Sequence, residues 1–279
     1  MNKQKDATIP TIPFNALVSR WFGRNLIRIY AVLGFTYLFI PVLYTFAFSF
    51  NDSSKSNLVW KGFTLDNWKN PCGAPEVCTA LGNSIKIGLL ATIFSTILGT
   101  MIAFAIGRHA FKGRSSSNLL IFLPMATPEI VLGASLLSLF LVFHINPGFW
   151  PTVIAHVMFC ISFVVVTVKA RIASLDPRLE QAAMDLYANE FETFRRVTLP
   201  LVAPGIAGAA LLAFSLSFDD FIITNFNSGT LKTFPEFVYT SAARGIPAQA
   251  NVIGSAMFIL ALLIVIAAQF VGRRVKVSK

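Results

Sequence analysis

The sequence predicts an all-α integral membrane protein with six transmembrane helices, and three observations support this fold class. Hydrophobic residues make up 55% of the 279-residue chain and charged residues only 13%, which is too few charges for a typical soluble domain of this size. Apolar runs long enough to cross a bilayer core of about 30 Å recur along the chain. The 23 lysines and arginines are unequally shared between the segments that join these runs.

Each predicted transmembrane helix corresponds to one run of roughly 20 apolar residues. The six predicted spans are 27–49, 84–106, 119–143, 149–169, 201–224 and 252–271. Residues 1–26 form a segment before the first span, and 27–279 form the transmembrane domain. The first run is too long for a signal peptide, and no small-x-small cleavage site closes it, so we expect it to remain in the mature protein.

The distribution of basic residues predicts the orientation in the membrane. With six spans, both termini lie on one side, and the segments on that side carry seventeen of the 23 lysines and arginines. Because cytoplasmic loops are enriched in basic residues, both termini are predicted to be cytoplasmic. The same bias accounts for the net charge of +10, so nucleic acid is not needed as a partner.

Sequence motifs of catalytic and metal sites are absent. The chain has no Walker A glycine loop, no His-Glu-x-x-His and no Gly-x-Ser-x-Gly. Neither His144 nor His156 has an acidic partner at metal-binding spacing, and structural roles are favoured for both. We therefore expect no catalytic residues, no metal site and no cofactor bound by this chain.

Two longer loops, 50–83 and 225–251, are predicted on the outer side. The first contains Cys72 and Cys78, which lie in an oxidising compartment if the orientation is right. The two cysteines could form a short disulfide or remain free thiols, and the sequence does not decide between these alternatives. Cys160 falls within an apolar span and is interpreted as a packing residue.

The predicted cytosolic segment 176–200 is long and polar for a connection between membrane helices. Asp176 suits a helix N-cap, and Pro177 suits the first turn because its missing N–H would have no partner there. A narrow apolar stripe follows at helical spacing, formed by Leu179, Ala182, Ala183 and Leu186. This pattern predicts a short amphipathic helix that lies on the membrane surface and presents one face to a partner. The alternative is a surface helix without a partner.

The same segment resembles the "EAA" loop of the permease subunits of binding-protein-dependent ABC importers. That loop reads Glu-Ala-Ala, three residues, Gly, and then hydrophobic-x-Leu-Pro after about nine more. Here Gln181-Ala182-Ala183 is followed at the expected spacing by Tyr187 and by Leu199-Pro200. Gln181 replaces the usual Glu, although Glu180 is adjacent, and Tyr187 replaces the Gly that permits a tight turn.

The resemblance implies the type I fold of the maltose and methionine importer permeases, in a bacterial plasma membrane. It also implies a second homologous permease, a dimer of cytosolic ATPases that bind ATP and Mg²⁺, and an external solute-binding protein. The helix would be the coupling helix that docks in a cleft of the ATPase. The implied coupling residues are Glu180, Gln181, Ala182, Ala183, Asp185, Leu186, Tyr187, Leu199 and Pro200.

Three further stretches resemble the second permease subunit of spermidine/putrescine importers, and the similarity runs from about residue 27 to the end of the chain. They are 126–131 (Ala-Thr-Pro-Glu-Ile-Val), 159–168 (Phe-Cys-Ile-Ser-Phe-Val-Val-Val-Thr-Val) and 217–221 (Ser-Phe-Asp-Asp-Phe). The implied substrate is a polyamine. Importers of ferric iron, phosphonates or other small organic ions share much of this pattern, and an ATP-independent cation transporter or channel is a further alternative.

Acidic residues within predicted spans are candidates for the substrate pathway, because burying a charge in a bilayer is costly. Glu129 lies ten residues into the third span, and Pro124 and Pro128 before it favour a bend that lines a cavity. Asp219 and Asp220 lie near the outer end of the fifth span and, as neighbours about 100° apart on a helix, are not expected to face one lumen together. The flanking aromatic residues, Phe218 and Phe221, could stack on protonated amines. The alternative is that these acids hold helices together.

Overall fold

The computed structural model describes residues 14–53, 59–243 and 245–277 and is built from α-helices. The helices are α1 (Phe14–Phe48), α2 (Asp66–Lys69), α3 (Val77–Arg108), α4 (Arg114–Ala126), α5 (Glu129–Val142), α6 (Phe149–Ala173), α7 (Arg178–Asp185), α8 (Glu190–Thr193), α9 (Leu199–Asp219), α10 (Ile222–Asn227), α11 (Phe234–Ala242) and α12 (Ala248–Val277). A π-helical turn, Phe194–Thr198, joins α8 to α9.

Five helical segments of the described chain are long and apolar enough to cross a membrane, and the bent pair α4–α5 brings the number to six if it is counted as one span. The all-α class is therefore confirmed, and each predicted apolar run coincides with one of these helices or with the bent pair. The predicted N-terminal segment 1–26 lies partly outside the described residues; its last part belongs to α1.

The third predicted span, 119–143, is not one straight helix. The structure breaks it between α4 and α5, whose axes differ in direction by 107°. Thr127 and Pro128 are both extended at the break, with ψ of 133° and 131°. Proline has no N–H to donate and disfavours helical backbone in the residue before it, so the helix stops at Ala126 and restarts at Glu129.

The fifth predicted span, 201–224, differs from the structure at both ends. A continuous helical segment runs from Glu190 to Asp219, so it begins well before the apolar run. Its end comes five residues earlier than predicted, because Asp220 has extended backbone with ψ of 125° and the short helix α10 starts after it.

Small residues allow α3, α6 and α9 to pack closely in the unit formed by residues 72–247. A Cβ added to Gly99 of α3 would lie 2.7 Å from Val164 Cγ1 of α6, which is closer than atoms can pack. A Cβ added to Gly205 of α9 would lie 2.5 Å from Cγ of Arg171 of α6. The Nε and Nη2 of that arginine both donate to Leu201 O (3.1 and 2.8 Å). Glycine contacts of this kind are typical of helices packed in membranes.

The second unit comprises residues 1–71 and 248–279, and within it α1 packs against α12. The loop after α1 is held by side-chain hydrogen bonds. Asn67 Nδ2 donates to Asn51 O (2.9 Å), and Trp68 Nε1 donates to Ser49 Oγ (3.0 Å).

Candidate functional site

The predicted amphipathic helix is present as α7. Asp176 Oδ1 accepts a hydrogen bond from the backbone N–H of Arg178 (2.9 Å), so the predicted capping residue satisfies one free donor of the first turn. Ala182 is exposed and Ala183 half-buried, which places the stripe of small residues partly against the protein.

The end of α7 is the position where the loop that this segment resembles has a glycine. Tyr187 has a φ of 64°, in the left-handed region that favours glycine. Two hydrogen bonds close the helix here: Ala188 N–H to Ala183 O (3.2 Å) and Tyr187 N–H to Met184 O (3.0 Å). This is the Schellman arrangement, with Tyr187 in the position that glycine usually occupies. The turn is therefore retained although the glycine is not.

A second set of caps connects α7 to the membrane-spanning helix α9. Asn189 Oδ1 accepts from Glu192 N–H (2.8 Å), while Glu192 Oε2 accepts from Asn189 N–H (3.3 Å). This capping box starts α8, which continues through the π-helical turn into α9. Leu199 and Pro200 lie at the start of α9, where the missing N–H of proline costs little.

The outer surface of α7 is formed by Gln181, Asp185, Leu186 and Tyr187, all of which are exposed. Leu186 is 81% exposed and Tyr187 is 99% exposed. Large apolar side chains in such positions are typical of binding surfaces. We call these four residues the α7 outer surface.

Glu180 points away from that surface. Its Oε1 accepts a hydrogen bond from Arg108 Nη2 at the end of α3 (2.6 Å) and another from Thr198 Oγ1 before α9 (2.6 Å). A cleft of about 500 Å³ lies beside these contacts, lined by Phe104, Arg108, His109, Glu180, Met184, Glu190, Thr193, Phe194 and Thr198.

The candidate pathway acids come together where two helices are interrupted. Glu129 is exposed at the first position of α5, and Asp219 is exposed at the last position of α9. The packing of α10 on α5 brings these ends together, and Asn227 Nδ2 donates to Gly133 O (3.4 Å) across it.

Asp220 differs from the other two acids because it is buried, with 8% of its surface exposed. Its carboxylate accepts hydrogen bonds from Ile223 N–H (3.3 Å), Thr224 N–H (2.8 Å) and Thr224 Oγ1 (3.0 Å). His156 Nε2 lies 3.3 Å from Asp220 Oδ2. The carboxylate therefore caps α10 and is engaged with protein groups.

His156 is fully buried and links α6 to this corner. Its Nδ1 is 2.6 Å from Ser217 Oγ, and its Nε2 is 2.9 Å from Thr224 Oγ1. The structural role expected for His156 agrees with these contacts, but the histidine does have an acidic partner, Asp220, which the sequence spacing of 64 residues concealed.

The two predicted aromatic residues stack on other rings. Phe218 stacks on Phe214 with ring centroids 5.8 Å apart, and Phe221 packs on Tyr239 at 4.3 Å. Both side chains are half-buried, so part of each ring contacts neighbouring residues and part is exposed.

In the predicted outer loop, Cys72 and Cys78 form a disulfide. Nearby, Lys232 Nζ pairs with Glu76 Oε2 (2.9 Å), and Asn83 Nδ2 donates to Lys232 O (2.9 Å), which joins the loop before α11 to the start of α3. Within the described residues, no group of three or more His, Cys, Asp and Glu side chains could hold a metal ion.

Among the residues of these sites that sequence reasoning missed are Arg108 and His156. Arg108 was counted only as one of the basic residues on the cytosolic side, and its partner Glu180 is 72 residues away. In both cases the spacing between the partners carries no local pattern. The only signal was the presence of an ionisable residue at the end of, or inside, an apolar run.

Comparison with known proteins gives a family match over most of the chain. Residues 81–277 match the family described as "Binding-protein-dependent transport system inner membrane component". The spermidine/putrescine transport system permease protein PotC of Escherichia coli (strain K12) is 34% identical over 240 residues, 86% of this chain and 90% of PotC. PotC of Haemophilus influenzae (strain ATCC 51907 / DSM 11121 / KW20 / Rd) is 33% identical over 258 residues. The alignment covers 92% of this chain and 99% of that PotC. The putrescine transport system permease protein PotI of Escherichia coli (strain K12) is 36% identical, with 80% of this chain and 82% of PotI covered.

Solved structures with the same fold include two ABC transporters. A chain of a bacterial alginate ABC transporter in complex with an alginate pentasaccharide-bound periplasmic protein aligns with a TM-score of 0.66 and 18% identity, covering 92% of this chain and 97% of its own length. A chain of the MetNI methionine ABC transporter in an inward-facing conformation aligns with a TM-score of 0.54 and 16% identity, covering 72% and 97%. The expected type I importer fold is thereby confirmed.

Proposed function

Because the chain belongs to the family of inner membrane components of binding-protein-dependent transport systems, we propose that it forms half of the pore of an ATP-driven polyamine importer. Relatives that align over most of their length are named as permeases for spermidine/putrescine or for putrescine. The observation in the structure that carries the proposal is that Glu129 and Asp219, two exposed carboxylates, lie at the interrupted ends of α5 and α9.

These carboxylates suit a cationic substrate. A charge in a membrane-spanning segment costs about 2.5–3.5 kcal/mol on insertion scales and is expected to be retained where it lines a pathway. Because Pro128 has no N–H, the carbonyl four residues before it lacks its usual helical donor at the same bend, and carbonyl oxygens also attract cations. Phe218 and Phe221 lie on either side of the two aspartates and add aromatic faces for the amines. Asp220 supports the site by capping α10 and does not contact the substrate.

The chain performs no chemistry in this proposal. A second, homologous permease supplies the other half of the pore, an external binding protein delivers the substrate, and a dimer of cytosolic ATPases binds ATP and Mg²⁺. The α7 outer surface docks on one ATPase, with Leu186 and Tyr187 as its apolar contacts. Closure of the ATPases then moves α7 and switches the pore between its inward-open and outward-open states.

The test is uptake by the complete complex in vesicles of the bacterial plasma membrane lipids. Putrescine, spermidine and ferric iron, each radiolabelled, are offered with the binding protein outside and ATP inside. We expect saturable uptake of one or both polyamines. A complex with a hydrolysis-defective ATPase serves as the control and should show uptake at the background of empty vesicles. Uptake of iron alone would overturn the substrate assignment, and polyamine uptake that persists without ATP would overturn the importer assignment.

A further inference from the structure

We propose that Arg108, Glu180 and Thr198 form a polar clamp that ties α7 to α3 and α9 and carries the movement of α7 into both helices. The clamp rests on the proposed function, in which α7 is moved by an ATPase. It assigns to Glu180 a role inside the permease, distinct from the docking role of the α7 outer surface.

One carboxylate oxygen joins three elements in the clamp. Glu180 Oε1 on α7 accepts from Arg108 Nη2, at the last residue of α3, and from Thr198 Oγ1, immediately before α9 (both 2.6 Å). Hydrogen bonds to charged groups are shorter and stronger than those between neutral groups. A small displacement of α7 therefore stretches bonds to both helices together.

The side chains of the clamp are largely shielded from water, which keeps their interactions strong. The side chains of Arg108 and Glu180 are 26% and 24% exposed, and Thr198 is 4% exposed. Exposed ion pairs are weakened by water and salt, whereas partly buried pairs with further hydrogen bonds are screened much less. The contact is thus unlike the exposed pair Arg196–Glu192 nearby, whose atoms are 4.0 Å apart.

An aromatic contact runs parallel to the polar one. Phe104 of α3 and Phe194 of the π-helical turn meet edge to face with centroids 5.2 Å apart. Phe104 lies four residues before Arg108 in α3, and Phe194 lies four residues before Thr198 in the π-helical turn. In each element the aromatic residue and the residue of the clamp therefore lie on the same face. The π-helical turn that contains Phe194 and Thr198 is a rare geometry that occurs often at functional sites.

The clamp also connects α7 to the candidate pathway. Helix α9 begins directly after Thr198 and ends at Asp219, 21 residues later. At 1.5 Å per residue this helix is about 30 Å long. A continuous helix that is held at one end by Glu180 and carries Asp219 at the other can convert a movement of α7 into a movement of Asp219.

The experiment removes the clamp without removing the docking surface. Glu180→Gln, Arg108→Gln and Thr198→Val are each introduced into the complete complex, which is purified and reconstituted. Two quantities are measured: the amount of ATPase that co-purifies and the number of polyamine molecules taken up per ATP hydrolysed. We expect normal co-purification and about a tenfold fall in uptake per ATP for Glu180→Gln and Arg108→Gln, with a smaller fall for Thr198→Val.

Matched controls change the same residue types close by. Glu190→Gln alters an exposed glutamate on the rim of the same cleft, and Arg195→Gln alters an exposed arginine in the π-helical turn. Both should retain wild-type uptake per ATP. The double variant Arg108→Glu with Glu180→Arg should recover part of the uptake that either single charge reversal loses. The reason is that the ion pair is restored with its two charges exchanged.

Three results would overturn the clamp. One is unchanged uptake per ATP in all three single variants. Another is loss of the ATPase from purified Glu180→Gln with no loss in Arg108→Gln, which would place Glu180 in the docking surface. The third is an exchanged pair no better than the single reversals. Failure of the proposed function is separate, because there the wild-type complex itself shows no ATP-dependent polyamine uptake.

Discussion

At Tyr187 the backbone turns through the left-handed region with φ of 64° while the side chain is 99% exposed. A residue with a Cβ is destabilised there by about 1–2 kcal/mol relative to glycine. Strain of this kind persists where the surrounding structure imposes it, and here the two hydrogen bonds from Tyr187 and Ala188 to the last turn of α7 do so.

We therefore expect Tyr187→Gly to stabilise the end of α7 by about 1 kcal/mol. Hydrogen exchange of the amides of residues 187 and 188 should slow by about fivefold, since opening of the turn becomes less favourable. Tyr187→Ala is the matched control, because it removes the same aromatic ring but leaves a Cβ in the left-handed position. Slower exchange in the alanine variant as well would show that the ring, not the backbone, destabilises the turn.

Asp219 and Asp220 are adjacent in sequence but have different environments. Asp219→Asn should lower polyamine uptake while leaving thermal stability within about 0.5 kcal/mol of the wild type, because the side chain is exposed. Asp220→Asn should destabilise the protein by about 1.5–3 kcal/mol, because a charged acceptor for two backbone N–H groups and the Thr224 hydroxyl is lost. Thermal denaturation in detergent and vesicle uptake together separate the two effects. The reverse pattern would exchange the roles of the two residues.

Among the helices, α3 approaches α6 closely at Gly99, which has no side chain. Gly99→Ala would place a Cβ 2.7 Å from Val164 Cγ1 and 2.8 Å from Val164 Cβ. Overpacking of this kind costs roughly 1–3 kcal/mol, and we expect a corresponding fall in the melting temperature of the purified protein.

Gly82→Ala on the same helix is its control. Nothing lies within 4 Å of a Cβ added there, so the substitution should be neutral or should stabilise α3 by up to about 1 kcal/mol through helix propensity. Equal melting temperatures for the two alanine variants would contradict the close approach of α3 and α6.

The elements also show how far the sequence could predict the structure. Hydropathy locates the membrane-spanning helices because about 20 apolar residues must be consecutive. It does not locate their polar extensions: α8 begins at Glu190 because Asn189 caps it, eleven residues before the predicted start of the span at 201. Pro128 predicted a bend, but the angle of 107° depends on the packing of α5 against α10, which no local pattern contains.

For the candidate sites, a local motif predicted the helix α7, whereas partners distant in sequence were missed. This helix was predicted because its residues are close in sequence and match a family pattern. The environment of Asp220 was not, since its partner His156 lies 64 residues earlier on another helix. The contact between Arg108 and Glu180 was missed for the same reason, because these residues are 72 positions apart and become neighbours only in the folded chain.

For the molecule as a whole, the excess of basic residues predicts that both termini are cytoplasmic. Seventeen of the 23 lysines and arginines lie on the side of the termini. A fluorescent protein that folds only in the cytosol, fused after Lys279, should therefore be bright in intact cells. The same reporter fused after Gly245, in the predicted outer loop, is the control and should be dark, because the chain is then truncated on the other side of the membrane. The opposite pattern would reverse the orientation and would move α7 and the clamp to the outer face, where no ATPase could reach them.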